Sequence, residues 1–255
     1  MLLAIDIGNT QTTVGLFDGA DMVARWATTT CSTETVDEVH QTFAAQLALA
    51  GFSLDDVTDV ALASVVPALT ITVGEVAQRI AGKKPVVVGP GTKSGLPMRY
   101  DNPAEIGADR VADAVAAVHI YGAPVVVVDL GTATNIEVID KDGSFRGGII
   151  APGLVSSSQA LFSNAARLFQ VGLTVPDHVI GTNTADAMRA GVMLGEVARI
   201  DGLVERIFDE LGYEAPVIAT GGLGRYIADA STTITNCEPN LTLMGLQLIY
   251  AKNRG

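Results

Sequence analysis

Two short segments carry residue types that can grip phosphate without a net positive charge. The first is Asp6-Ile7-Gly8-Asn9-Thr10-Gln11-Thr12-Thr13. Gly8 allows a tight backbone turn, and the amide N–H groups with the side chains of Asn9, Thr10, Thr12 and Thr13 offer hydrogen bonds to phosphate oxygens. An Asp at a strand end in such a corner can face a hydrated Mg²⁺ shared with the phosphates; capping of the turn is the structural alternative for Asp6. The second segment, Asp129-Leu130-Gly131-Thr132-Ala133-Thr134, repeats the Asp-x-Gly-x pattern, and two such corners facing each other could hold a polyphosphate. A third, Ala219-Thr220-Gly221-Gly222-Leu223-Gly224, follows an apolar run. Its paired glycines would let a purine approach the backbone closely; a plain strand-to-helix turn is the alternative.

The acid–base candidate is Asp109 in Gly107-Ala108-Asp109-Arg110. Near a helix N-terminus the macrodipole favours an ionised carboxylate, which can accept the proton of an alcohol during phosphoryl transfer. Arg110 would neutralise an anionic substrate or the transferred group, and a surface Asp–Arg pair is the alternative. Gly89-Pro90-Gly91-Thr92-Lys93-Ser94-Gly95 imitates a Walker loop, but Thr92 stands where Gly must precede Lys-Ser, so the stretch reads as an ordinary loop. There is no HExxH, GxSxG or paired Cys/His set, and His40, His119 and His178 are isolated.

The elements that must position these residues follow from periodicity. Residues 2–7 form an apolar run, residues 12–17 are rich in β-branched and aromatic side chains, and residues 22–27 return after the Asp18-Gly19 turn. The same strand-turn-strand-turn-strand order recurs at 125–128, 136–139 and 144–150, with a turn at Asp140-Lys141-Asp142-Gly143. The segment after Asp6-to-Thr10 therefore continues as strand, which excludes a dinucleotide-binding loop opening a helix. Thr35-x-x-Glu38 is a capping-box pattern before Val36, Val39, Phe43 and Leu47 at helical spacing. Asn102-Pro103 is expected to open a second helix whose apolar stripe is Ala108, Val111, Val115 and Val118, leaving Asp109, Arg110 and Asp113 on the other side. A long third helix is expected after Thr182-Asn183-Thr184 and ends at Gly212. Strands alternating with helices give an α/β class, and the duplication predicts halves 1–120 and 121–255 with a ligand cleft between them.

Composition narrows the function. The chain has 255 residues, 48% apolar and 17% charged, with 16 Lys and Arg against 28 Asp and Glu. A net charge of −12 opposes general binding to nucleic acid or anionic membranes. Residues 147–166 are uncharged enough to tempt a membrane reading, yet Gly147, Gly148, Pro152, Gly153 and the polar 156–159 run oppose a spanning helix. The start lacks a basic segment and a long apolar core, so no secretion signal is expected. Cys31 and Cys237 are far apart and read as reduced thiols of a cytoplasmic protein.

The two Asp corners, together with Ser64-Val65-Val66-Pro67, the run from Asn102 to Arg110, Gly147-Gly148, Pro152-Gly153, Asn183-Thr184, Ala187-Met188 and Thr220-Gly221-Gly222, resemble the type III pantothenate kinases in one order along nearly the whole chain. The resemblance implies duplicated actin-like (ribonuclease H-like) domains, each a mixed sheet flanked by helices, in a homodimer that phosphorylates pantothenate from ATP at the first step of coenzyme A synthesis. Carried over residue by residue, it implies ATP binding by Asp6, Ile7, Gly8, Asn9, Thr10, Gln11, Thr12, Thr13 and Thr132, with Mg²⁺. It gives Asp129 a monovalent cation, K⁺ or NH₄⁺. It gives Tyr100, Gly107, Ala108, Asp109, Arg110 and Thr184 to pantothenate, and makes Asp109 the proton acceptor. The chain departs from the family pattern at Asn135, Ile136 and Glu137, where Thr-Phe-Asp is usual, and over 168–176, which lacks the expected Leu-Pro and Glu. Alternatives are a kinase of another small alcohol and a non-catalytic ATP-binding regulator akin to the Bvg accessory factors.

Overall fold

A computed structural model describes residues 1–164 and 172–254. Its elements in chain order are β1 (Leu2–Ile7), β2 (Gln11–Asp18), β3 (Asp21–Thr29), α1 (Val36–Leu49), β4 (Asp59–Ser64), α2 (Pro67–Ala81), β5 (Val86–Val87) and α3 (Ala108–Tyr121). There follow β6 (Val125–Leu130), β7 (Ala133–Ile139), β8 (Phe145–Pro152), α4 (Leu154–Asn164), α5 (Thr184–Arg189), α6 (Gly195–Leu211), β9 (Val217–Thr220), α7 (Gly224–Ala228), β10 (Asn236–Cys237) and α8 (Leu241–Arg254). The chain forms two compact units, one of Met1–His119 with Leu241–Gly255 and one of Ile120–Asn240. The final helix, counted with the second half on sequence, thus belongs to the first unit.

Among the described residues each unit holds one five-stranded mixed sheet, and the two sheets share a topology. The order is β3-β2-β1-β4-β5 in the first and β8-β7-β6-β9-β10 in the second. In each, three antiparallel strands are extended by parallel strands on the far side of the first. β1 and β6 even share a burial pattern: of six residues, only the fifth, Asp6 or Asp129, is incompletely buried. Near-continuous apolar runs are what a strand covered on both faces requires. In the first unit β1 buries Leu3, Ile5 and Ile7 against α1 and α2, while Leu2 and Ala4 face α3 and α8. In the second, Val126 and Val128 of β6 pack with Met193, Ile200 and Val204.

Helix ends follow the local chemistry. Thr35 caps α1 with the full capping box, its hydroxyl accepting from the Glu38 N–H and Glu38 accepting from the Thr35 N–H. Pro67 opens α2, and Gly82 and Gly212 close α2 and α6 in the left-handed region at φ 68° and 74°.

Three local expectations are corrected. Asn102 caps only a single 3-10 turn, Pro103–Glu105, because the chain then extends through the buried Ile106 before α3 starts at Ala108. Arg110 and Asp113 do not point away from the packed side: they are 5% and 1% exposed. For Asp113 the reason is α8, whose Gly245 lies so close to Ala112 that a Cβ there would overlap its carbonyl, and whose Thr242 hydroxyl donates to Asp113 at 2.7 Å. The third helix is not one α-helix, since a π-helical stretch, Ala190–Leu194, separates α5 from α6.

Candidate active site

In the first unit, β1 and β2 are joined by a turn in which the Gly8 N–H donates to the Gln11 carbonyl at 3.0 Å. The last register pair is Ile7 with Thr12, and Asp6 stands opposite Thr13 and beside Ala63 of β4. Asn9, Thr10 and Gln11 are exposed, Asp6, Gly8 and Thr13 are half-buried, and Ile7 and Thr12 are buried. Thr30, just past β3, braces this turn. Its hydroxyl donates to the Gly8 carbonyl at 2.8 Å and shares a 2.9 Å hydrogen bond with the Thr12 hydroxyl, while its N–H donates to the Thr10 carbonyl at 3.0 Å. At the neighbouring strand end the Val65 N–H donates to the Ile7 carbonyl at 3.0 Å, and Ser64 accepts from Thr70 at 2.8 Å. The result is a fixed loop whose tip is solvated and whose root is held by hydroxyls.

The second unit builds the matching turn between β6 and β7. The last register pair is Leu130 with Thr134, Asp129 stands opposite Asn135 and beside Thr220, and the Gly131 N–H donates to the Ala133 carbonyl at 3.0 Å. Gly153 lies against this turn, since a Cβ there would stand 2.7 Å from the Gly131 carbonyl oxygen, and Ser156 donates to the Thr132 carbonyl at 3.1 Å. The third glycine segment comes to the same place. Gly221 takes φ +84°, and a Cβ there would stand 2.6 Å from both Asp129 Oδ1 and the Leu130 carbonyl oxygen. Only a residue without a side chain fits there, so the Gly221 backbone packs directly against Asp129 and Leu130. Behind the turn, the buried Thr134 donates to Glu196 at 2.7 Å, Glu196 accepts from Arg199 at 2.7 Å, and Arg199 donates to the Pro152 carbonyl at 2.9 Å.

Asp109 lies in the first turn of α3, half-buried, and its carboxylate occupies the space beside Gly107 where a Cβ would collide with it. The Arg110 N–H donates to it at 2.9 Å, and the Val111 N–H donates to the Gly107 carbonyl at 3.1 Å. A negative charge at this end is favoured by the helix dipole. Ala108 and Arg110 are buried, Gly107 and Tyr100 are half-buried, and Thr184 is the exposed first residue of α5, after the cap Asn183. Thus residues 107–110 form one local group in the first unit, while Asp129, Thr132 and Gly221 form another in the second.

Sequence reasoning missed Thr30, Gly153 as a turn-packing residue, Ser156 and Glu196. Thr30, Gly153 and Ser156 gave no periodic signal, because their hydrogen bonds and contacts reach across chain separations of about twenty residues. Glu196 did give one: it interrupts the apolar positions Val192, Ile200 and Val204 at four-residue spacing. The departures Asn135, Ile136 and Glu137 lie buried within β7. Of residues 168–176, positions 168–171 are outside the described residues, and Leu173 and Val175 pack on the second core.

The family model described as Type III pantothenate kinase matches residues 2–206. The chain belongs to the type III pantothenate kinases. A type III pantothenate kinase of Thermomicrobium roseum is 46% identical over 99% of this chain and 97% of its own length. Another, type III pantothenate kinase 2 of Symbiobacterium thermophilum, is 45% identical over 100% and 97%. Among solved structures, a conserved candidate Baf family transcriptional activator from Campylobacter jejuni has a TM-score of 0.61 at 21% identity, covering 98% of each chain. Component A of (R)-2-hydroxyglutaryl-CoA dehydratase from Acidaminococcus fermentans has 0.56 at 16%, covering 98% of this chain and 96% of that one. At such identities these likenesses concern the fold, which is that of duplicated actin-like domains. For a type III pantothenate kinase, the two Asp-ended hairpins are the repeated feature of that fold.

Proposed function

We infer that this chain transfers the γ-phosphoryl group of ATP to the 4′-hydroxyl of pantothenate, giving 4′-phosphopantothenate and ADP at the first step of coenzyme A synthesis. The carrying observation is the family match over residues 2–206, with relatives at 40–46% identity along nearly the full chain.

The residue roles are part of the same proposal. Residues 6–13 and Thr132 receive the ATP phosphates; support comes from the solvated, hydroxyl-braced Gly8 turn and from the Gly131-Thr132 turn held by Gly153 and Ser156. Tyr100, residues 107–110 and Thr184 contact pantothenate. Asp109 accepts the hydroxyl proton as the new O–P bond forms, and general-base help of this kind is worth roughly a hundredfold or more. Its place at the start of α3 beside the bare Gly107 keeps the carboxylate available.

A divalent ion accompanies ATP in a kinase, neutralising phosphate charge when bound. The described residues include no cluster of three or more His, Cys, Asp or Glu able to hold a metal, which fits an ion that keeps its waters and leans on phosphate oxygens. Asp6 is the residue that would face its water shell. At Asp129, the carboxylate and the Leu130 carbonyl bring oxygens together beside Gly221, a donor set of the kind that suits a monovalent cation, K⁺ or NH₄⁺. Such a cation would offset phosphate charge in a protein of net charge −12.

We further propose a cytoplasmic homodimer that binds neither nucleic acid nor membrane. Two free thiols, Cys31 exposed and Cys237 half-buried, suit a reducing compartment. Among the described residues, no helix is long and apolar enough to cross a membrane. Light scattering on the eluted protein measures the assembly, and a monomer at micromolar concentration overturns the dimer. The activity is tested by coupled ADP release from pure protein with ATP, Mg²⁺, K⁺ and pantothenate, beside a panel of other small alcohols. Turnover dependent on pantothenate is expected. ATP binding without it would favour a regulator, and preference for another alcohol would reassign the substrate.

A further inference from the structure

The second unit contains a charged group that neither the phosphates nor pantothenate are proposed to touch. Glu196 is only 5% exposed, and its carboxylate serves two partners: the Thr134 hydroxyl at 2.7 Å and the Arg199 guanidinium at 2.7 Å. Burying the Glu196 carboxylate costs desolvation that its attraction to the half-buried Arg199 scarcely repays, and well-packed apolar residues often stabilise as much or more. Glu196 also occupies an apolar phase of its helix, where Val192, Ile200 and Val204 flank it. An apolar side chain at that phase would pack with those neighbours but could not bond Thr134 or Arg199.

What the pair gains is geometry. Thr134 is two residues from Thr132, and Arg199 donates to the carbonyl of Pro152, the residue before Gly153. Pro152 is also the register partner of Ala133. The bonds from Glu196 and Arg199 therefore hold β7, the strand that leaves the Gly131-Thr132 turn, through Thr134, and the end of its neighbour β8 through Pro152, just before the Gly153 that lies against the turn. The helical run itself is irregular: the π-helical stretch Ala190–Leu194 ends immediately before Gly195 and Glu196. A π-helical insertion shifts the phase of everything after it relative to α5, and such insertions gather at functional sites.

We propose that Glu196 is a positioning residue for the nucleotide: through Thr134 and Arg199 it fixes the Gly131-Thr132 turn in the conformation that receives ATP. The proposal rests on the reading above in which Thr132 contacts ATP. It predicts an effect confined to ATP, since among the described residues the bonds of Glu196 lead to Thr134 and Arg199 and not to the residues assigned to pantothenate.

The test compares wild type with Glu196→Gln, Thr134→Val and the double variant, as full chains. Glu196→Gln keeps shape but loses the anion shared by Thr134 and Arg199; Thr134→Val keeps shape and loses the donor. Each single variant should raise the KM for ATP, and the Kd for ATP by calorimetry, about tenfold, the scale of a sub-ångström misplacement. The KM for pantothenate should change less than twofold. The double variant should be no worse than the worse single one, because both remove one interaction. An unchanged Kd for ATP in folded variants, even with a lower melting temperature, overturns the proposal by reducing Glu196 to a structural brace. Equal rises in both KM values, or fully additive effects, overturn it as well. If Glu196→Gln does not fold, Thr134→Val alone decides. If wild type binds ATP but releases no ADP with pantothenate, the functional reading fails while the Kd comparison still decides the positioning claim.

Discussion

The Gly8 turn and the Gly131 turn are the same device built twice, and their differences say what each can tolerate. Both follow a buried strand whose fifth residue is Asp. Four residues separate the last register pair, Ile7 with Thr12, in the first, but only three separate Leu130 from Thr134 in the second. The first loop thus exposes one more peptide unit. It is braced by small neutral hydroxyls, chiefly Thr30. The second is braced by backbone contact with Gly153 and Gly221 and by the buried Glu196 with its half-buried partner Arg199. The first should bend under substitution; the second should break.

The largest effect lies outside both turns and marks the scale against which they are read. Asp109→Asn should lower kcat roughly a hundredfold or more with much less effect on ATP affinity, measured by steady-state kinetics and calorimetry; unchanged kcat removes Asp109 from the chemistry. Next comes the sharpest contrast between the turns. Gly153→Ala places a Cβ 2.7 Å from the Gly131 carbonyl with only backbone to yield, whereas Gly8→Ala places one 3.0 Å from the Gln11 carbonyl at an exposed loop. The former should cost about 1–3 kcal/mol in urea unfolding, the range for overpacking, and most of the ATP affinity. The latter should cost clearly less, and equal losses would erase the distinction.

The cation separates the two Asp residues. Replacing K⁺ by Na⁺ should depress turnover in wild type; Asp129→Asn should abolish the response, while Asp6→Asn should keep it at a lower rate. A wild-type enzyme equally fast in both salts dismisses the Asp129 cation. Thr30→Val, which removes two hydroxyl hydrogen bonds at the first turn, should cost about 1–2 kcal/mol and raise the KM for ATP only a few-fold.

The smallest expected effect is on acid stability, at the β7–β8 turn, the opposite end of β7 from the second corner. The Tyr213 hydroxyl, then the Lys141 N–H and Arg146, hold the Asp140 carboxyl down to about 2 from an ordinary 3.8. A lowered value in the fold means the ionised form is favoured there. Its stabilisation is complete above the ordinary value and is lost as pH falls from there through about 2. Asp140→Asn should flatten that part of the urea-midpoint profile between pH 5 and 2, leaving activity near neutrality unchanged.

Much of this was legible in the chain itself. Apolar runs ending in Asp-x-Gly, turn pairs such as Asp18-Gly19 and the Thr35–Glu38 capping box are local patterns, and they specified both meanders and α1 because short-range sterics and hydrogen bonds decide such elements. Local patterns misjudged α3, since its single apolar stripe took no account of α8, over a hundred residues away, closing on Ala112 and Asp113. They were equally blind to Thr30 reaching back to Gly8, to Gly221 packing its backbone against Asp129, and to the π-helical stretch that sets the phase of Glu196. The residue types and order of the two corners were therefore determined by sequence. What braces each corner, and which charges are buried behind it, was decided by tertiary packing, because those hydrogen bonds join residues that no periodicity connects.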